Sequence, residues 1–197
     1  MENNLKNPKE RLINTAIEMI YELGFDATSV NHLIEASGTH KASFYRYFEN
    51  KEEVGDMYLK LQGENFLKGW KFLMEKSKSP EDFVRVWVSL LKRQIRKKTY
   101  FGCPIARFMS SSEKSQTSSQ LAREIIREWT DTLGDYFFTF EKKEKSHAED
   151  LIKKNECYEK GKKFLKIFQG NSQMFVITGE LSYIDEMEKE MLDLLNE

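Results

Sequence analysis

The segment THKASFYRYFENK, from Thr39 to Lys51, sets hydroxyl, imidazole, ammonium, guanidinium and phenol groups close together. Three cations, Lys41, Arg46 and Lys51, stand there against one anion, Glu49. Residues 1–60 as a whole carry seven Lys or Arg against ten Asp or Glu, so the positive charge is placed rather than spread. Donors at the start of a helix can read base edges in a major groove, while neighbouring amides and hydroxyls hold the register on phosphates. His40, Lys41, Ser43 and Arg46 are the candidates for that chemistry. Elsewhere the chain offers less. Glu144 and His147 make one Glu-x-x-His motif, whereas a di-iron bundle needs two and further acids. A glycine-rich phosphate loop, zinc-spaced Cys or His and a nucleophile elbow are all missing, so no catalytic residue, metal ligand or cofactor is expected. Cys103, before Pro104, is either a redox-sensing thiol or a small buried hydrophobe.

The elements that must position these groups read as helices throughout. Among 197 residues there are three prolines and ten glycines, and apolar residues recur at three- and four-residue spacing. Leu12, Ile13, Ala16, Ile17, Ile20 and Leu23 form one apolar face between Pro8 and Gly24, which predicts a helix over 8–23. A short helix burying Val30, Leu33 and Ile34 follows Thr28 or Ser29, either of which can cap it, and stops at Gly38. Thr39 is the expected cap of a third helix that buries Ala42, Phe44 and Phe48, the two phenylalanines holding it to the first helix. Two short helices about a glycine turn make a helix-turn-helix. Asn50 and Glu53 have capping-box spacing at the head of a long helix, and Ser79-Pro80-Glu81-Asp82 opens another. The basic end of that helix, Lys92 to Lys98, is a second nucleic-acid patch or simply a cationic C-terminus. Ser110 to Gln120 reads as a polar loop. The last helices are expected at about 157–179 and 181–196, with apolar faces that a second copy of the chain or internal packing must cover.

Composition bounds the partners. A net charge of -1 with 32% charged residues gives no global field for nucleic acid or an acidic membrane. Two cysteines and no apolar N-terminal signal segment suggest a reducing cytoplasm, and no run approaches the roughly 18 apolar residues of a membrane span.

The first 55 residues resemble the DNA-binding domain of the TetR family of one-component transcriptional regulators. The resemblance rests on Gly24-Phe25, Thr28, Val30 and Leu33, Ala36, Gly38, the pair Tyr45-x-x-Phe48, and Lys51-Glu52-Glu53. It departs from the family at Thr39-His40, where Val-Ser is usual, at Ala42, where glycine is frequent, and at Arg46, where an aromatic is frequent. Gly102 to Phe108, GCPIARF, is similar to the opening of one subgroup's effector domain. The resemblance implies an all-α fold: a three-helix helix-turn-helix domain over 1–52, then a larger helical ligand-binding and dimerisation domain over 53–197. It implies DNA contacts from Thr28, Thr39, His40, Lys41, Ser43, Tyr45, Arg46 and Lys51, with Thr28, Tyr45 and Lys51 on phosphates. The implied partners are a palindromic operator, a small hydrophobic effector and a second copy of the chain. Phe66, Trp70, Trp87, Leu91, Phe101, Phe108, Trp129, Leu133, Tyr136 and Phe137 are the candidate effector pocket, or equally core. Phe164, Phe168, Phe175, Ile184, Met187 and Met191 are the candidate dimer interface. A repressor is the leading expectation; an activator of the same fold, and a helical carrier or enzyme with a vestigial DNA-binding domain, stay open beside it.

Overall fold

The computed structural model describes residues 7–141 and 147–196. Among the described residues are nine α-helices and no strand: α1 (Pro8–Leu23), α2 (Val30–Ala36), α3 (Lys41–Tyr47), α4 (Lys51–Lys76), α5 (Pro80–Arg96), α6 (Pro104–Met109), α7 (Gln116–Glu141), α8 (His147–Thr178) and α9 (Ser182–Asn196). The fold is all-α, with a helix-turn-helix near its N-terminus.

Local chemistry sets most of the boundaries. The Asn7 side chain accepts from the Glu10 amide at 3.0 Å and Pro8 opens α1. Ser29 caps α2, accepting from the His32 amide at 3.1 Å. The turn that follows is a glycine C-cap: Gly38 sits at φ 60, and the Thr39 amide reaches back to Ile34 O at 3.1 Å. From α1, Arg11 secures this turn by donating to Ser37 O at 3.1 Å and Gly38 O at 3.3 Å. Asn50 accepts from the Glu53 amide at 2.8 Å at the head of α4, and Glu53 answers by accepting from Glu49 N at 2.7 Å. Ser79 accepts from the Asp82 amide at 3.2 Å, with Pro80 as the first residue of α5.

Four sequence expectations need correction. Ala42, expected to be buried beneath α3 with Phe44 and Phe48, is exposed. Thr39 does not cap α3: the N-cap is His40, with no side-chain cap bond, because the turn leaves Thr39 one residue short and its hydroxyl pairs with that of Ser37 at 2.8 Å. The polar segment ends earlier than Gln120, since α7 begins at Gln116; Ser115 Oγ accepts from the Ser118 amide at 2.9 Å, a capping use of serine instead of a loop use. The penultimate helix starts well before residue 157. Its first turns expose Leu151 and Ile152, so they show no inward apolar face, and ion pairs such as Lys154–Asp135 (3.1 Å) line them instead. Glu144 lies outside the described residues, so the Glu144-x-x-His147 motif does too.

By compactness the chain forms two units. The first runs through α1, α2, α3 and α4 as far as Asn65 and takes in Pro104–Arg123, which holds α6 and the first turns of α7. The second comprises Phe66–Cys103 and Glu124–Glu197. The boundary expected after residue 52 would fall at the head of α4, a helix that continues unbroken to Lys76. The first unit buries Leu12, Ala16, Ile20, Phe25, Leu33, Phe44, Tyr58 and Phe108. The second is centred on Trp70, Phe83, Trp87, Trp129, Phe164 and Phe168, with Ile184, Met187 and Met191 of α9. Lys92 at the basic end of α5 is engaged structurally, pairing with Asp185 at 2.7 Å and Glu188 at 2.8 Å on α9.

Candidate nucleic-acid interface

The third helix shows its two faces plainly. Phe44 is 0% exposed and Phe48 is 6% exposed; their ring centroids lie 5.6 Å apart, and α3 packs on α1 and α2. Burying aromatic side chains of this size is worth about 1.5–3 kcal/mol each, which anchors a helix only two turns long. The opposite face carries His40, Lys41, Tyr45 and Arg46, all exposed, with Ser43 half-buried. Tyr45 remains 52% exposed, more than packing needs of a phenol, while its ring leans edge-on to Phe44 at 5.2 Å. The Lys41 ammonium lies 6.0 Å from the same ring. An aromatic hydroxyl and two cations therefore share one short exposed face.

Two of the expected contacts do not reach that face. Thr28 is 0% exposed, and its hydroxyl donates to Gly24 O at 2.8 Å, closing the turn between α1 and α2. Thr39 is 9% exposed and tied to Ser37. Both hydroxyls are used within the fold, because a short turn between helices leaves its own polar groups to be satisfied locally. Neither offers a side-chain phosphate contact in this conformation. Lys51 sits at the head of α4 with its Nζ 4.5 Å over the Phe25 ring, 3.4 Å from Asp26 O and 2.6 Å from Glu113 Oε2.

The partners of this corner were invisible in the linear pattern. Ser112 donates both its amide and its hydroxyl to Asp26 Oδ2 at 2.9 Å, and the Glu113 amide donates to Asp26 Oδ1 at 3.3 Å. The Ser112 amide is the main reason the Asp26 carboxyl is held below its ordinary range. Arg107 Nη2 donates to Glu22 O at 2.8 Å, and Phe108 packs between Phe25 (4.7 Å) and Tyr58 (5.6 Å). The signal was there only as the serine-rich run after Phe108; nothing in it named Asp26 as its partner.

The expected effector residues divide. Phe66, Trp70, Trp87, Trp129, Tyr136 and Phe137 belong to one aromatic cluster of the second unit, completed by Phe83, Phe164 and Phe168. Phe66 and Trp129 stack at 4.4 Å, and Leu91 and Leu133 are buried in the same unit. Phe101 is half-buried. Phe108 does not join them, since it is core to the first unit. The Trp70 indole N–H is buried and has no hydrogen-bond acceptor among the described residues. Surface hollows of about 430 and 380 Å³ lie along α8 and α9, lined mainly by Lys, Glu and Asp and by none of these aromatics.

The expected dimer residues are corrected more sharply. Phe164, Phe168, Ile184, Met187 and Met191 are each 0% exposed inside the protomer, and Phe175 is half-buried 6.0 Å from Tyr100. The most apolar faces of α8 and α9 turn toward each other and toward α5, so a partner cannot reach them without unfolding the unit. Apolar side chains stay outside near the junction of α8 and α9, at Met174, Val176, Ile177 and Leu181, as Leu151 and Ile152 do at the head of α8. Both cysteines are buried: Cys103 accepts from Gln169 Nε2 at 3.1 Å, and burial pushes the Cys157 thiol up.

The two short helices, the glycine turn and the exposed cationic face define an all-helical protein of the helix-turn-helix class. Residues 12–54 match the family model of the bacterial regulatory proteins, tetR family. An uncharacterized HTH-type transcriptional regulator in the lacX 3'region of Lactococcus lactis subsp. lactis is 30% identical over 107 residues, 52% of this chain and 53% of that protein. The HTH-type transcriptional regulator TcmR of Streptomyces glaucescens is 32% identical over 66 residues, 34% of this chain and 29% of that one. The chain thus spans about half the length of the first curated relative and less of the second. Two solved structures share the fold over nearly their whole length. They are a TetR transcriptional regulator from Legionella pneumophila (TM-score 0.79, 15% identity, 96% and 98% coverage) and the reduced form of E. coli NemR (0.77, 14%, 95% and 97%). The match to the tetR family model thus lies in the helix-turn-helix segment, and the likeness of the whole chain to the solved structures is one of fold.

Proposed function

We propose that the protein is a ligand-responsive transcriptional repressor that binds a palindromic operator as a homodimer. The observation that carries this reading is the outer face of α3, where His40, Lys41, Tyr45 and Arg46 are exposed while Phe44 and Phe48 fix the helix from beneath. In a dimer the two α3 helices would enter successive major grooves about 34 Å apart. Lys41 and Arg46 would meet base edges or phosphates, Ser43 would add a hydroxyl, and Tyr45 and Lys51 would hold phosphates. A second copy would be met through the exposed apolar side chains at the end of α8 and the start of α9, Met174, Val176, Ile177 and Leu181.

Release requires an effector that prefers the conformation DNA disfavours. The aromatic cluster of the second unit supports a hydrophobic effector, and the unpaired Trp70 N–H supports one carrying a hydrogen-bond acceptor. Its binding would shift α4, the helix that runs from Lys51 beside the recognition helix to Lys76 within the second unit. The groove spacing would then be lost.

The test is fluorescence anisotropy with a duplex selected by the protein from a randomised pool, against a scrambled duplex, at two salt concentrations. Specific binding that weakens steeply with salt is expected, and Lys41→Ala with Tyr45→Ala should abolish it. Equal, weak binding to both duplexes would overturn the operator reading and favour a helical ligand carrier.

A further inference from the structure

Lys41 and Arg46 stand in the open, but Lys51 is held by its own chain. Its ammonium is 2.6 Å from Glu113 Oε2, with the Asp26 carbonyl and the Phe25 ring completing its surroundings. Glu113 is itself fixed. Its amide and the amide and hydroxyl of Ser112 all donate to the Asp26 carboxylate. Two residues on, Ser115 Oγ donates to Asp56 of α4 at 3.2 Å, and Ser118 Oγ donates to the same carboxylate. On the other side, Arg107 is bonded to Glu22 O and Phe108 is wedged between Phe25 and Tyr58. The segment from α6 to the head of α7 is therefore fastened at both ends, with Glu113 at its centre.

We infer that Glu113 is an internal counter-ion that occupies the place on Lys51 a DNA phosphate must take, so that the segment between α6 and α7 sets how tightly the protein holds DNA. The inference rests on the reading of Lys51 as a phosphate contact. Lys51 keeps only 17% of its side chain exposed against 52% for Glu113, so the Glu113 carboxylate is the group with open space to turn into when a phosphate takes its place. An exposed ion pair is weak enough for a polyanion to displace. The displaced carboxylate is then left close to phosphates, and that repulsion also lowers affinity. The segment is continuous in the chain with Cys103 on one side and Glu124 on the other, both in the second unit. A ligand-driven pull on either flank would seat or unseat Glu113 through the covalent chain.

The experiment titrates the full-length protein and three variants, Glu113→Gln, Lys51→Ala and the double variant, into a mixed-sequence duplex over a range of salt, followed by anisotropy. Phosphate contacts are sequence-independent, so no operator is needed. Glu113→Gln is expected to bind about three- to tenfold more tightly at low salt, with its salt slope steeper by about one. Lys51→Ala should weaken binding, and adding Glu113→Gln to it should change nothing further. Equal or weaker binding by Glu113→Gln overturns the inference, and so does the same gain in the Lys51→Ala background, which would mark simple charge repulsion. If Lys51→Ala binds like the wild type, the assignment of Lys51 to phosphate fails and the inference falls with it. If Lys51→Ala weakens binding and Glu113→Gln does not tighten it, only the competition is wrong. A wild-type chain with no salt-dependent affinity removes the DNA-binding reading itself, and the inference with it.

Discussion

Lys41 and Phe44 are three residues apart on the same helix and should fail in opposite ways. Lys41 is exposed and Phe44 is 0% exposed. Lys41→Ala is expected to leave the thermal midpoint unchanged while weakening all duplexes about equally and lowering the salt slope by about one. Phe44→Ala should cost about 3–5 kcal/mol in urea unfolding, by opening a cavity under α3. Tyr136 offers a pH test of the second unit. Burial, helped by the charges of Asp82 and Glu81, raises its phenol from 10.0 to about 12, and the hydroxyl donates to Ser79 O at 3.2 Å. The fold favours the neutral phenol, so its contribution is complete below pH 10.0 and is lost as pH rises through about 12. Alkaline difference absorbance should show a late-titrating phenol in the wild type that is missing in Tyr136→Phe; a late step surviving in the variant would refute the assignment.

At the scale of elements, the caps are local and their costs should be local too. Ser79→Ala removes the acceptor of the Asp82 amide at the head of α5 and is expected to cost about 1 kcal/mol. The approach of α4 to α6 is a different matter. A Cβ on Gly55 would lie 2.8 Å from Phe108 and 2.9 Å from Phe25, both rings being almost wholly buried and unable to swing aside. Gly55→Ala should therefore destabilise the first unit by about 1–3 kcal/mol through overpacking, despite alanine's better helix propensity. A variant as stable as wild type in urea would show that α6 can back away from α4. The helix starts were readable because a cap joins residues three apart; the clamp of Ser112 and Glu113 on Asp26 was not, since it joins positions 86 and 87 residues apart whose types are ordinary for a loop.

At the scale of the whole molecule, the surface for the proposed homodimer is where residue type alone misled. Met187 and Met191 are apolar and helix-spaced, but they fill the protomer, while Ile177 is 67% exposed. Ile177→Glu with Leu181→Glu is expected to give a folded monomer in sedimentation at micromolar concentration, with the helical circular dichroism retained. Met187→Glu should instead unfold the second unit, because a carboxylate would be buried without a partner. A dimer that survives the double substitution would move the interface elsewhere on the protein.

The sequence by itself determined the all-helical fold, the helix-turn-helix, the caps at Ser29, Asn50 and Ser79, and the likeness of residues 12–54 to the tetR family model, since each depends on spacing within a few residues or on one contiguous run. It also marked α3 as the helix with chemistry to offer. Which of the candidate hydroxyls were free was decided only by the tertiary structure: Thr28 and Thr39 are consumed in the turns before α2 and α3, while Tyr45 on α3 is left outside. The tertiary structure likewise turned the apolar faces of α8 and α9 inward and brought Glu113 onto Lys51. A helical pattern states that a face must be covered and that a charge needs a counter-charge. It carries no information about which distant segment supplies them, because that depends on packing between elements, not on periodicity within one.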